Sequence, residues 1–303
     1  MRRQRENPEG RSRMRRLIAV LVCVAAVAAC AEVVELRTAA ASCCVELEGA
    51  RITSFKVGDK ELLWNAEPIQ LSAKDWAHGG IPVCWPWFGV NEKGEIHGYA
   101  WRRRFCIRNR REGSDRSEMN LYLNSGGARL DYRIALSDVL TLELETINIG
   151  TNDFRFSTGF HPYFRVAERD RSTVSGLDGL AFEDDPSRPA PERGVWHGSL
   201  AVTASVDRIF RVLPKFDGAR CELPFAAKLT DELGGGSVSV EAWGASDVNV
   251  WNPGFEKNCP GFVPSDEWRR FVCVEPILVG KDGFISLKTG EVRKVRVTLR
   301  RDR

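Results

Sequence analysis

Four histidines occur in 303 residues, at positions 78, 97, 161 and 197. Three of them keep unusual company. His78 opens "HGGIPVCWPWFG" (78 to 89), His97 sits in "EIHGYAWRRRF" (95 to 105), and His161 sits in "STGFHPYFRV" (157 to 166). An imidazole titrates near neutrality and can take or give a proton at working pH. The carboxylates that could partner it are Glu275 in "FVCVEP" (271 to 276) and Asp207 in "SVDRIF" (205 to 210). Glu275 follows four apolar residues. On spacing alone it is either an exposed strand end or a functional carboxylate. In a pocket, desolvation would raise its pKa and suit it to base chemistry near neutrality. Asp207 with Arg208 reads equally as an ion pair, a turn or part of a site.

The aromatic, glycine-rich stretch from 78 to 89 has two readings. Extended, it places Trp85 and Trp87 on one face, where a flat ring could pack on the C–H surface of a sugar; the plainer reading is a core. Gly79 and Gly80 point to a close backbone approach, and Pro82 and Pro86 stiffen the segment. Other chemistries find little support. There is no G-x-S-x-G, no Walker loop and no G-x-G-x-x-G. The nine cysteines (23, 30, 43, 44, 84, 106, 221, 259 and 273) form no C-x-x-C pair, so no zinc site is expected and most should act as small buried hydrophobes.

The elements that must position these groups are strands. "VELEGARITSFKVG" (45 to 58), "MNLYLNS" (119 to 125), "RLDYRIALS" (129 to 137), "LTLELETINIG" (140 to 150), "SVSVEAW" (237 to 243) and "VRKVRVTLR" (292 to 300) alternate apolar with polar residues. Period two means half-buried strands. Turn residues separate them near 112, 125, 137 and 234. One short helix is expected over "SDEWRRF" (265 to 271), capped by Ser265. Pro276 is expected to end its ladder. The Pro-rich "DDPSRPAPERG" (184 to 194) reads as a surface loop. The fold class is all-β: one large antiparallel sandwich over residues 31 to 303.

Residues 1 to 30 read as an address. Seven arginines precede or flank "LIAVLVCVAAVAA" (17 to 29), an apolar run of thirteen residues, too short for a comfortable membrane span and ending in small residues. A start at Met14 would leave a compact signal. "VAAC" (27 to 30) resembles a bacterial lipobox, so export to the periplasm, or anchoring by a lipid on Cys30, is expected; a cytoplasmic protein is the alternative. After residue 30 the chain carries 37 basic and 39 acidic side chains. That near-neutral balance gives no basic field for nucleic acid.

Taken together and in order, "GGIPVCWPWFG", "HGYA", "FHPYF", "GLDGLAFED", "VDRIF", "VWNPG" and "FVCVEP" span residues 79 to 276. The set resembles the glucose-6-phosphate 1-epimerase (hexose-6-phosphate mutarotase) branch of the aldose 1-epimerase superfamily. The resemblance implies a twisted galactose mutarotase-like sandwich with an open concave cleft, a monomer, a sugar or sugar phosphate as the small-molecule partner, and no metal or organic cofactor. It implies His161 as the acid toward the ring oxygen and Glu275 as the base for the anomeric hydroxyl. His97 and Asp207 fall at positions that hold sugar hydroxyls; His78, Arg103 and Trp85 complete the expected contacts. Two positions depart from the family. His78 stands where an arginine usually precedes "GGIP", and Trp101 where an arginine usually follows "HGFA". Those arginines are associated with the substrate phosphate, which a guanidinium grips and a histidine or tryptophan does not. Two other functions remain open on sequence: a non-catalytic carbohydrate-binding protein of the envelope, and a glycoside-cleaving enzyme using Asp207 and Glu275.

Overall fold

A computed structural model describes residues 32–66, 78–186, 190–212, 224–255, 266–280 and 282–302. The expected signal segment, Cys30 and the Ser265 cap lie outside the described residues. Contacts group Ala31–Arg303 into one compact unit.

All but one of the alternating stretches become single antiparallel strands with the expected faces; 45 to 58 is split by a turn at 47–50 into Ala41–Glu46 and Arg51–Val57, which pair with each other. Leu140–Asn148 buries Leu140, Leu142 and Leu144 and turns Thr141, Glu143 and Glu145 outward. Ser117–Ser125, Ala128–Leu136 and Val292–Asp302 repeat that pattern and pair around it in a nine-stranded sheet. The outer face of this sheet is polar and its inner face is aliphatic, which is the signature of a sheet half in water. A four-stranded sheet runs from Val33–Arg37 to Lys60–Glu61, and Phe154–Phe156 pairs with Ile285–Leu287.

The sheet that matters for chemistry has eight strands. Its order runs Arg193–Val195, Ala181–Asp184, Val206–Arg211, Asp247–Asn252, Phe271–Leu278, Thr158–Phe160 and Val83–Cys84, and Tyr163–Arg165 also pairs with Phe271–Leu278. Phe271–Leu278 is buried along its whole length. Alternation splits its side chains between two environments. Val272 and Val274, with Val248, Val250, Phe210 and Phe160, join the large aliphatic core shared with the nine-stranded sheet. Phe271 and Cys273 face the other way, into a smaller aromatic cluster with Trp64, Tyr163 and Trp268. This second face carries the candidate site.

Three details differ from expectation. Trp85 lies fully buried in the main core, its Nε1–H donating to Thr146 Oγ1 at 3.1 Å and its ring stacked on Phe154. The Val83–Cys84 strand ends before it, and the position continues inward against the nine-stranded sheet, so Trp85 is no wall of a sugar cleft. The short helix over 265 to 271 is a single 3-10 turn, Glu267–Arg270, preceded by Asp266 without a side-chain cap. Pro276 does not end its strand: it sits opposite Val248, and the strand continues to Leu278. Gly79 and Gly80 do mark a close approach. Gly80 has φ +66° and a Cβ there would stand 2.1 Å from the Ile52 carbonyl oxygen, so only glycine fits; the approached group is backbone. The five described cysteines are free thiols, and Cys43, Cys84 and Cys273 are buried.

Candidate active site

Backbone register brings the two expected catalytic residues together. Gly159 lies opposite Ile277, and Tyr163 opposite Cys273. The same register, carried across the interruption at 161 and 162, sets His161 opposite Glu275. The His161 amide turns away and donates to the Pro82 carbonyl at 3.1 Å. His161 and Glu275 therefore form a non-hydrogen-bonded antiparallel pair, the kind in which side chains approach most closely. His161 Nε2 stands 3.5 Å from Glu275 Oε1. The same register sets Pro276 opposite Phe160, the last residue of Thr158–Phe160, so its missing N–H falls where that strand ends.

Glu275 is fully buried. Asn249, directly opposite on Asp247–Asn252, donates from Nδ2 to Glu275 Oε1 and to Asp207 Oδ1, both at 3.4 Å. Glu275 Oε2 has no hydrogen-bond partner among the described residues. Burial pushes the Glu275 carboxyl well above its ordinary value, and the nearby Asp207 pushes it further. His161 is 4% exposed. Burial, then the neighbouring His97 and His78, hold its pKa well below the ordinary imidazole value. Its ring stacks on Tyr163 at 4.7 Å between centroids and meets the edges of His97 at 5.2 Å and Trp251 at 5.6 Å.

The outer histidines are fixed by local geometry. His97 adopts φ 54°. Its Nδ1 accepts from the Gly89 amide at 3.1 Å, and its own amide donates to the Gly89 carbonyl at 2.8 Å. That contact leaves the ring proton on Nε2. His78 Nδ1 lies 3.0 Å from the Tyr163 hydroxyl, and its ring stacks on Trp251 at 6.5 Å. Burial lowers His97 to about 3 and His78 to about 4, so both are neutral at physiological pH.

His78, His97, His161, Asp207 and Glu275 thus share one face and one cluster. Arg103 does not join it: its exposed guanidinium lies over the Tyr99 ring at 5.7 Å. The Trp101 indole donates to the Gly98 carbonyl at 3.0 Å. Three members were not singled out from sequence: Asn249, Trp251 and Tyr163. The signal was the two-residue period. Asn249 and Trp251 alternate with Val248 and Val250, and Tyr163 lies two residues beyond His161. Asn249 supplies a donor shared by two carboxylates, while Trp251 and Tyr163 form an aromatic surround for His161. Cys273, two residues before Glu275, brings its Sγ within 4.8 Å of His161 and Glu275 ligand atoms.

The arrangement places one imidazole and one carboxyl side by side, with aromatic faces beside them and a buried oxygen open to a donor. It suits the passage of protons between neighbouring oxygens of one small, hydroxyl-rich molecule. Known proteins share the architecture and the sequence pattern. A "putative mutarotase" from Salmonella typhimurium superposes with TM-score 0.76 at 21% identity, covering 89% of this chain and 90% of that one. A galactose mutarotase-like protein from Clostridium acetobutylicum superposes with TM-score 0.70 at 15% identity, covering 90% and 95%. A "putative glucose-6-phosphate 1-epimerase" from Salmonella typhimurium is 27% identical over 244 residues, 76% of this chain and 78% of that protein. The one from Cenchrus ciliaris is 27% identical over 286 residues, covering 86% and 82%. The sequence profile of the aldose 1-epimerase family matches residues 32–300, nearly all of the described chain. The chain belongs to the aldose 1-epimerase family, whose members are isomerases acting at the anomeric carbon of a sugar.

Proposed function

We propose that His161 and Glu275 are the acid and base of this mutarotase, and that its preferred substrate is an unphosphorylated aldohexose. The observation that carries the reading is the cross-strand pair itself, Nε2 to Oε1 at 3.5 Å on one buried face.

Ring opening removes a proton from the anomeric O1 and delivers one to the ring oxygen O5, as the C1–O5 bond breaks. Glu275 takes the first and His161 gives the second. C1–C2 then rotates. On closure His161 recovers the proton from O5 as O5 attacks the other face of C1, and Glu275 returns one to the former carbonyl oxygen O1. Each group contributes on the order of 10²–10⁴-fold. The pair carries one proton at every stage. Burial favours that same count at rest, with the proton on Glu275 and a neutral His161. Entry of a sugar hydroxyl that donates to Oε2 stabilises the carboxylate and moves the proton to the imidazole. The Tyr163 ring, stacked on His161, then favours the imidazolium through its π face.

Several relatives carry glucose 6-phosphate in their names. The free sugar is favoured here because the two arginine positions of that branch hold His78 and Trp101. His78 is neutral and held between Tyr163 and Trp251. Trp101 is tied to Gly98. Neither offers a permanent charge to a phosphate dianion. His97 and Asp207 serve as hydroxyl contacts. The basic, then apolar, N-terminal thirty residues support export, with a lipid on Cys30 as the membrane tether; that address places the protein away from cytosolic sugar phosphates. We assign a monomer.

Anomer exchange measured by NMR on glucose, galactose and glucose 6-phosphate side by side tests the substrate. Free hexose turned over faster than the phosphate supports it. A strong preference for the phosphate overturns it and requires a cation beside the cluster.

A further inference from the structure

We infer that His161, Cys273 and Glu275 form a binding site for a soft divalent cation such as Zn²⁺, seated where the anomeric centre of the sugar is handled. The inference about the ions is independent of the catalytic assignment. Only its consequence, inhibition of anomer exchange, rests on that assignment.

The geometry follows from the strand. Cys273 and Glu275 are two residues apart on Phe271–Leu278, so both side chains leave the same face. His161 is the direct cross-strand neighbour of Glu275. One ligand atom from each, His161 nitrogen, Cys273 Sγ and a Glu275 carboxylate oxygen, lies within 4.8 Å of the others. Metal–ligand distances of about 2.0–2.3 Å put tetrahedral ligand atoms roughly 3.5 Å apart. The His161 Nε2–Glu275 Oε1 separation of 3.5 Å has that value, and Oε2 belongs to the same carboxylate. The sulfur has to close in by at most about 1.3 Å, within reach of a side-chain rotation.

The donor set selects the metal. Thiolate, imidazole and carboxylate together suit Zn²⁺ and its soft relatives and not Mg²⁺ or Ca²⁺, which take oxygen ligands. Three protein ligands leave a fourth tetrahedral position for water. A second feature points to a ligand independently. Glu275 Oε2 is fully buried and has no hydrogen-bond partner among the described residues. Asn249 holds the other oxygen, Oε1, and so orients the carboxylate as an outer partner of a metal ligand does. On binding, the thiol proton of Cys273 passes to solvent as the Zn–S bond forms; no electrons move. Cys44 is half-buried and Cys106 exposed, so a thiol elsewhere is the competing explanation for any bound ion.

Co²⁺ serves as the spectroscopic probe of the whole chain. One equivalent is expected to give a near-ultraviolet thiolate charge-transfer band with the visible pattern of a tetrahedral site, and Zn²⁺ is expected to displace it. Cys273→Ala is expected to remove the band and to raise the Zn²⁺ concentration for half-inhibition of anomer exchange at least tenfold. The absence of a thiolate band in the wild-type protein overturns the inference without any variant having to fold. A band that persists in Cys273→Ala assigns the ion to another thiol and also overturns it. A band that is lost in Cys273→Ala while Zn²⁺ leaves exchange untouched upholds the metal site and removes the catalytic roles of His161 and Glu275 instead.

Discussion

His161 and Glu275 are 114 positions apart in the chain yet directly opposite each other in one antiparallel register, with Nε2 and Oε1 at 3.5 Å. Nothing flexible brings them together. The flanking pairs Gly159–Ile277 and Tyr163–Cys273 fix the strands on either side, and the Tyr163 ring supports the imidazole. Such a pair is pre-positioned by the sheet, so a sugar needs only to enter for proton exchange to be geometrically in place.

Substitutions at the pair test its role. His161→Gln and Glu275→Gln are each expected to slow anomer exchange by roughly 10²–10⁴-fold, measured by polarimetry or NMR exchange on glucose. The double variant should be little slower than either single one, because a proton couple fails as a unit. Exchange at the wild-type rate in both single variants would remove the assignment.

The pH dependence of kcat/KM reports the free enzyme. The active form holds one proton on the pair. A second proton, added to His161, removes the base form; because burial depresses His161, this acid limb is expected well below the ordinary imidazole value of 6.5. Loss of the only proton, from Glu275, removes the acid form; because burial raises Glu275, the alkaline limb is expected well above the ordinary carboxylate value of 4.5. Asn249→Leu deletes a hydrogen bond to the charged carboxylate, so it should raise Glu275 further and move the alkaline limb up, with kcat down roughly tenfold. An acid limb at 6.5 would mean His161 sits in a water-like setting, contrary to its burial.

Much of this was legible in the residues. Period two gave the strands at 119 to 125, 129 to 137, 140 to 150, 237 to 243 and 292 to 300, because a half-solvated sheet imposes that alternation. It was weaker where both faces are buried. In "FVCVEP" every residue is buried, so spacing alone could not tell a site face from a core face, and Pro276 read as a stop because the strand end opposite it belongs to another segment. The two-residue period set Asn249 and Trp251 on one face, but their role comes from Glu275 and Cys273 on the partner strand, and cross-strand register cannot be read from local sequence. Trp85 was misplaced for the same reason. What it faces, Thr146, is set by packing between two sheets.

Trp85 offers a way to separate core from cleft. Trp85→Phe keeps an aromatic ring but loses the bond to Thr146 Oγ1, leaving a buried hydroxyl without that donor. The expected loss is about 1–3 kcal/mol of stability in denaturant unfolding, with KM for the sugar unchanged. A raised KM with stability intact would return Trp85 to the sugar site.

The histidines make the fold sensitive to acid in a direction that follows from linkage. His78 and His97 have folded values of about 4 and about 3, against 6.5 in the unfolded chain. Below 6.5 the unfolded chain binds protons that these buried rings refuse, so stability is full above that value and declines as pH falls towards 4. The decline is about 1.4 kcal/mol per pH unit for each histidine, or about 2 kcal/mol each by roughly pH 5. Glu275 works in the opposite sense, since its raised folded value favours the native state in acid, and it offsets part of the loss. His161, also held well below 6.5 by burial, adds to the loss in the same sense; replacing His78 by Phe, which keeps a ring against Trp251, should take one of these three histidine contributions out of the slope. Unfolding free energies measured by urea titration between about pH 7 and pH 5 decide it. A slope unaltered in His78→Phe would mean that His78 titrates in the folded protein as it does in water, and its stack on Trp251 would then not exclude solvent.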